Sequence, residues 1–206
     1  MSESSTFPEN FNERMKLKLG ESFAAFVAGM QDTPPTSIRL NPRKPISKCD
    51  ADEKVLWCQT GRYLPSRPSF TFDPLFHAGT YYVQEAASMF VEQVWKKINP
   101  ANKAIRVLDL CAAPGGKSTH LLSLMTDDSL LVSNELIPNR NAVLRENITK
   151  WGLSNCIVTQ NNPSDFTKLG EYFDVILVDA PCSGEGMFRK DKNAINEWSE
   201  KNVAQC

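Results

Sequence analysis

Apolar side chains recur along this chain with two different periods, and the changes of period divide it into elements. From Glu9 onward, Phe11, Met15, Leu17 and Leu19, then Phe23, Phe26 and Val27, return at helical intervals and predict two short helices broken near Gly20. The Pro34-Pro35 pair ends them. Ser37 to Leu40 carries a short strand signal, turned by Asn41-Pro42. Asp73 to Gly79 reads as a loop with a glycine turn. Thr80 to Ile98 predicts a helix whose buried face holds Val83, Ala86, Ala87, Phe90, Val91 and Val94. Residues 1 to about 8 are small and polar and predict a disordered start.

The second half alternates compact apolar runs with helical segments. Ile105, Val107, Leu108 and Leu110 have the density of apolar and β-branched side chains that a parallel strand covered on both faces needs, with Asp109 at its end. Leu130 to Glu135, Asn155 to Thr159 and Phe173 to Val178 predict three further strands. A helix opens at Lys117-Ser118-Thr119. Another opens at Pro138, a position proline tolerates, with Val143, Leu144, Ile148 and Trp151 inward and Gly152 as its C-cap. Asp165 and Phe166 fall in an irregular loop. Ala194 to Cys206, with Ile195, Trp198 and Val203, predicts an amphipathic helix. Strand and helix in alternation predict an α/β fold with a parallel sheet, behind a small N-terminal α+β domain. The expected divisions are 1–72 for that first domain, 73–102 for a linker and leading helix, and 103–206 for the sheet.

Composition narrows the partners. The 206 residues, 41% hydrophobic and 23% charged, suit one globular domain with a small appendage. A net charge of −1 offers no general attraction to a polyanion, so any RNA binding must come from local patches. One basic stretch lies between Thr36 and Phe70, where Arg39, Arg43, Lys44, Lys48, Lys54, Arg62 and Arg67 face only Asp50, Asp52 and Glu53. Trp57, Tyr63 and Phe70 interleave with these cations, either as stacking surfaces for single-stranded RNA or as a small core. Cysteines 49, 58, 111, 156, 182 and 206 form no CxxC pair, and His77 and His120 are the only histidines. No zinc set is expected, and the thiols read as free in a reducing cytosol. With no basic start, no apolar leader segment and no membrane-length run, a cytoplasmic monomer is the expectation.

The chemistry gathers at Cys111-Ala112-Ala113-Pro114-Gly115-Gly116-Lys117. There the first strand breaks into a turn whose glycines let backbone approach a ligand, before a helix whose unpaired N–H groups face the same turn. Such a junction takes a nucleotide-like ligand. A nucleoside triphosphate would suit GGKS and an Asp174 to Asp179 metal strand, but a phosphate-binding loop needs glycine at 111, where this chain has Cys. S-adenosylmethionine suits it better. Glu135 closes the next strand, where a ribose-binding acid belongs, and Arg140 reads either as its brace or as a solvated helix arginine. Asp179, Pro181 and Cys182 follow the fourth strand. They are the parts that hold and attack a pyrimidine, since carbon 5 of cytosine accepts a methyl group only after a thiolate has added to carbon 6.

LDLCAAPGGKST, YYVQEAAS and DAPCSGEGMFRKD, with Trp198-Ser199 beyond them, resemble the NOL1/NOP2/Sun family of RNA cytosine-5 methyltransferases, nearest the bacterial branch acting on small-subunit ribosomal RNA. The resemblance runs from about Ser37 to the end. It implies a Rossmann-like class I methyltransferase sheet, incomplete at its C-terminus, and S-adenosylmethionine held by Cys111 through Lys117, Glu135, Arg140, Asn162 and Asp179. Gln84 would lie beside the donor. RNA contacts would come from Arg39, Arg43, Lys44, Arg189 and Lys190, and Asp179 would hold the base. At Asn161-Asn162 the family usually has an Asp near the adenine amino group; Asn162 retains an acceptor in its amide oxygen. The family's attacking cysteine sits in a Thr-Cys motif one strand later, and its Pro-Cys cysteine, here Cys182, serves release. Cys206 lacks the preceding Thr and strand, so this chain is expected to be inactive alone, with Cys182 its best-placed thiol. A phosphate-binding nucleotide protein and a non-catalytic RNA-binding protein of the same fold are the alternatives.

Overall fold

The structure is a computed structural model that describes residues 7–44, 53–99 and 101–204. Lys48, Cys49, Asp50, Asp52 and Cys206 lie outside these residues, as do residues 1–6, to which the expectation of disorder mainly applied. The chain forms two compact units, Met1–Pro34 with Pro181–Cys206 and Pro35–Ala180.

In the first unit, α1 (Glu9–Leu19) and α2 (Phe23–Gln31) are separated by a 3₁₀ turn that begins at Gly20, whose φ of 52° few other residues adopt. The break falls where the apolar period predicts it. Phe7, Phe11 and Phe188 are the buried centre, with Phe188 stacked on Phe7 and edge-on to Phe11. Phe7 therefore belongs to a core, not to a disordered start. The single helix expected over 194–206 is instead two short helices, Lys192–Asn196 and Glu200–Ala204. Between them Trp198 turns in against Phe11 and donates to Glu185 Oε1 at 2.9 Å, while Ser199 Oγ accepts from the Asn202 amide and starts the second helix.

The second unit opens with a small antiparallel sheet of β1 (Thr36–Leu40), β2 (Gly61–Leu64) and β3 (Tyr81–Val83), in the order β2-β1-β3. Inside the expected loop, Asp73 caps α3 (Pro74–His77). The helix expected over 80–98 is a correction. Its first part is β3, paired to β1 through Ile38 with Val83 and Leu40 with Tyr81; a 3₁₀ turn, Ala86–Phe90, follows, and only then α4 (Val91–Ile98). Two tyrosines and a valine suit a pleated surface, and β1 offered a free edge. The buried face shifts accordingly: Met89, Glu92 and Trp95 are inward, whereas Phe90 and Val94 are about half exposed. β3 pairs with β1 across position 72/73.

The parallel sheet follows: β4 (Arg106–Asp109), α5 (Gly116–Leu124), β5 (Leu130–Asn134), α6 (Pro138–Trp151), β6 (Cys156–Thr159) and β7 (Val175–Leu177). The strand order is β6-β5-β4-β7, all parallel. Val107 and Leu131 are fully buried at its centre, in one cluster with Leu144, Ile148 and Trp151 of α6, and Leu108 is buried as well. Val143, expected inward, is half exposed. At the sheet's edge, Ile176 of β7 and the adjoining Val178 are more than half exposed.

Candidate functional site

Chain direction makes β4 the turning point of the sheet: β5 and β6 extend to one side of it and β7 lies on the other. Ligands bind outside the carboxyl ends of strands at such a point. A cleft of about 240 Å³ lies there, floored by Asp109 at the end of β4 and reaching Asp179 beyond β7, with Gly116 and Lys117 of α5 and Tyr82 and Gln84 at its sides.

The turn from β4 to α5 is held from behind. Arg140 Nη2 and Asn147 Nδ2, both on α6, donate to the carbonyls of Ala113 at 3.0 Å and Pro114 at 2.8 Å, and the Tyr82 hydroxyl reaches Pro114 O at 3.2 Å. The carbonyls are thereby tied away while the first N–H groups of α5 keep no helical partner. Gly115 has φ 108°, and a Cβ there would press on Leu144 at 3.2 Å, so glycine is required. Asn134, fully buried, donates to the carbonyls of Leu110 and Asn161 and accepts from Thr159 and the Asn161 amide, tying the strand tips together.

Asp109 carries the strongest sign of a ligand site. Burial pushes its carboxyl up to about 6 although Ser118 Oγ donates to Oδ2 at 2.6 Å. Its other oxygen, Oδ1, is buried and makes no well-aligned hydrogen bond among the described residues, with the Cys111 amide the backbone donor acting on the carboxyl. A buried acceptor left short of hydrogen bonds is expensive and calls for a donor that binds later.

The expected site residues are partly brought together. Cys111, Ala112, Ala113, Pro114, Gly116, Lys117 and Asp179 line the cleft, and Lys117 pairs with the exposed Asp179. Burial first, then the charges of Glu135 and Asp109, push the Cys111 thiol up. Gly115 and Arg140 shape the turn from behind. Glu135 stands at the tip of β5 but outside the cleft lining; its Oε1 accepts from the Ile137 amide at 3.0 Å and its Oε2 lies 3.5 Å from Arg140. Asn162 is a correction: its amide oxygen caps a 3₁₀ turn by accepting from the Ser164 amide and hydroxyl, so the acceptor expected to face an adenine is already engaged. In the other unit Cys182 is exposed, Arg189 half-buried and Lys190 exposed.

The basic stretch is corrected more deeply. Arg39, expected to contact RNA, is fully buried: its guanidinium lies 4.4 Å above the Trp151 ring and donates to Gln84 Oε1 at 2.8 Å and Thr119 Oγ1 at 2.6 Å. Burial lowers its pKa only to about 9, so it stays charged at neutral pH. Lys44 is a cap, donating to the carbonyls of Lys150 at 2.6 Å and Ala78 at 3.0 Å. Arg43 is exposed beside Asp127. The interleaved aromatics fill a core: Trp57 and Tyr63 pack on Val55, Cys58 and Met89, and Phe70 on Phe76 and Tyr81. Sequence spacing also gave no sign of the buried group of Cys58, Glu92 and His120, whose polar atoms lie within 4.8 Å of one another. Lys96 already pairs with Glu92 there, so the group reads as an internal hydrogen-bond network.

The parallel order, the glycine turn and the cleft at the switch point define a Rossmann-like methyltransferase domain. Residues 96–206 match the family described as 16S rRNA methyltransferase RsmB/F, and residues 7–86 match the N-terminal domain of 16S rRNA methyltransferase RsmF; the chain belongs to this family. It is 39% identical over 158 residues to ribosomal RNA small subunit methyltransferase F of Pectobacterium atrosepticum, covering 73% of this chain and 32% of that protein. The protein of that name from Vibrio vulnificus strain YJ016 is 37% identical over 216 residues, 96% of this chain and 45% of its own. A crystallised methyltransferase homolog protein from Pyrococcus horikoshii superposes with a TM-score of 0.73 at 28% identity, covering 92% of this chain and 64% of that one. The chain spans less than half the length of those two curated relatives.

Proposed function

We propose that this chain forms part of an enzyme that transfers a methyl group from S-adenosylmethionine to carbon 5 of a cytosine in small-subunit ribosomal RNA, and that the cleft at the end of β4 binds the donor. The observation that carries this is Asp109, a buried carboxyl lining a cleft that also presents helix N–H groups. A zwitterion with an ammonium for Asp109 and a carboxylate for the start of α5 answers both demands, and the amino-acid end of the donor is one. Glu135 has acceptor capacity beyond the single Ile137 amide, which suits ribose hydroxyls. When bound, the donor supplies an electrophilic methyl group.

This chain supplies groups that hold the base. Asp179 accepts from the base edge, exchanging Lys117 for the pyrimidine. A thiolate adds to carbon 6, which makes carbon 5 nucleophilic, and leaves again once the carbon 5 proton is lost. Cys182 serves this cycle as the release thiol or as the attacking one. RNA phosphates are met by Arg43, which also pairs with Asp127, and by Arg189 and Lys190, whereas Arg39 and Lys44 act inside the fold.

Two measurements test the reading. Saturating S-adenosylmethionine at about a hundred times its dissociation constant should stabilise the chain by roughly 2.7 kcal/mol and raise its melting temperature by several degrees. ATP with magnesium should not; the reverse result would make this a phosphate-loop protein. The second measurement incubates the chain with labelled donor and unmodified small-subunit RNA and compares it with Cys182→Ser. Turnover that disappears in Cys182→Ser would assign attack to Cys182.

A further inference from the structure

The loop that carries Cys182 is open at the thiol and fastened three residues later. Cys182 itself is exposed. From Gly184 onward the chain coils. Gly184 takes the left-handed conformation at φ 78°, the Met187 amide donates to Gly184 O at 2.8 Å and the Phe188 amide to Glu185 O at 3.2 Å, and the Lys190 and Asp191 amides both reach Met187 O at 2.8 Å. Two anchors hold this coil. Phe188 is buried, stacked on Phe7 and edge-on to Phe11. Glu185 Oε1 accepts from Arg14 of α1 and from Trp198 Nε1, the latter at 2.9 Å.

The anchors differ in kind. Apolar burial of Phe188 is non-directional and tolerates a shift. One carboxylate oxygen shared by a guanidinium and an indole fixes a position, because both donors must be met with good geometry at once. An exposed ion pair would contribute little, but Arg14 and Glu185 keep only 32% and 25% of their side-chain exposure. Arg14 Nε is buried with no partner among the described residues, and the guanidinium lies 5.8 Å from the centre of the Phe11 ring. Glu185 is thus the acceptor that holds Arg14 in place. In return Arg14 ties the loop to a helix 171 residues earlier in the chain.

We infer that Arg14 and Trp198 are positioning residues for the Cys182 loop, acting through Glu185, so that α1 serves the reaction by fixing where the thiol stands. Neither touches a reacting atom. A thiolate that must add to one carbon of a base is sensitive to such placement, since an error of about 1 Å can cost on the order of a hundredfold in rate. The inference rests on Cys182 taking part in methyl transfer. Its anchor is measured without donor or RNA, so the two claims fail separately.

A nitroxide on Cys182 reads the anchor directly, in a chain carrying Cys49→Ser, Cys111→Ser, Cys156→Ser and Cys206→Ser; Cys58 is buried and stays unlabelled. Arg14→Ala removes the guanidinium. Trp198→Phe keeps a ring against Phe11 and removes only the N–H, which leaves a test should Arg14→Ala fail to fold. Each should shorten the label's rotational correlation time roughly twofold and speed exchange of the Met187 and Phe188 amides about tenfold, well below the melting temperature. Arg14→Lys keeps a cation for Glu185 and should restore most of the order. A label on the exposed position Ala142→Cys of α6, with Cys182→Ser, should respond to none of these changes. A pair that merely stabilises the fold would lower the melting temperature and leave the Cys182 label as it was. That result, or equal loosening at both labels, would overturn the assignment. Failure of the unsubstituted chain to bind S-adenosylmethionine, with the label still responding, would remove the reaction and leave the anchor as a structural device.

Discussion

At the scale of single residues, Asp109 shows a cost that function explains. Its carboxyl is held up to about 6, mainly by burial, so ionising it at neutral pH works against folding. Asp109→Asn keeps an acceptor for Ser118 and removes the charge; it should raise stability at pH 7 by about 1–3 kcal/mol, read from denaturant unfolding. The same variant should bind S-adenosylmethionine more weakly, because a neutral amide answers an ammonium poorly. In the unsubstituted chain, affinity should fall as pH drops through about 6 and Asp109 takes up its proton. Constant affinity between pH 7.5 and 5 would mean that Asp109 does not face the ammonium. Asp109 and its turn were legible because punctuation is local: an apolar run, an acid, then Pro-Gly-Gly. Arg39 was not, since whether a guanidinium is buried depends on Trp151 and Thr119, which reach it only through the fold.

At the scale of elements, the last turn of α6 collects capping groups from distant chain. Lys44 Nζ binds Lys150 O, Asn41 Nδ2 binds Trp151 O at 2.9 Å and Gly79 O at 2.9 Å, and Gly152 ends the helix in the left-handed conformation at φ 84°. Gly79 shares this crowding: with φ +69°, a Cβ there would lie 2.0 Å from Lys150 O. Gly79→Ala should therefore cost about 2–4 kcal/mol in thermal or denaturant unfolding, and a loss under 1 kcal/mol would show that the junction yields. Lys44→Ala should cost about 1 kcal/mol and leave RNA affinity unchanged, the opposite of what an RNA contact requires. The Gly152 stop was legible from a glycine after the last inward residue. The β3 strand was not, because Tyr81-Tyr82-Val83 continues smoothly into a helical period and only the edge of β1 decides between the two.

For the whole molecule, two buried groups respond to acid with opposite sign. Burial holds His120 down to about 4 despite Glu92 Oε2 at 3.2 Å, with Arg39, Lys96 and Cys58 also about it. A depressed histidine contributes stability present above its usual 6.5 and lost as pH falls through about 4. Asp109, raised from 3.8, gains on the same descent, since its protonated form is the one the fold prefers. The two offset each other between pH 6.5 and 4. Asp109→Asn should thus lose melting temperature more steeply over that interval than the unsubstituted chain, and a shallower loss would reverse the assigned sign. Alternating apolar runs were enough to foresee the parallel sheet and its order of elements. They could not foresee that β3 pairs with β1, because that pairing joins segments far apart in sequence.

The outer strand β7 has a practical consequence. Its far side meets no other strand among the described residues, and Ile176 with the adjoining Val178 stands in water. Unsatisfied amides beside greasy side chains are a template for sticking to further copies. Solutions of this chain should cloud as concentration and temperature rise, and Ile176→Lys should delay the onset of turbidity without moving the melting temperature by more than a few degrees.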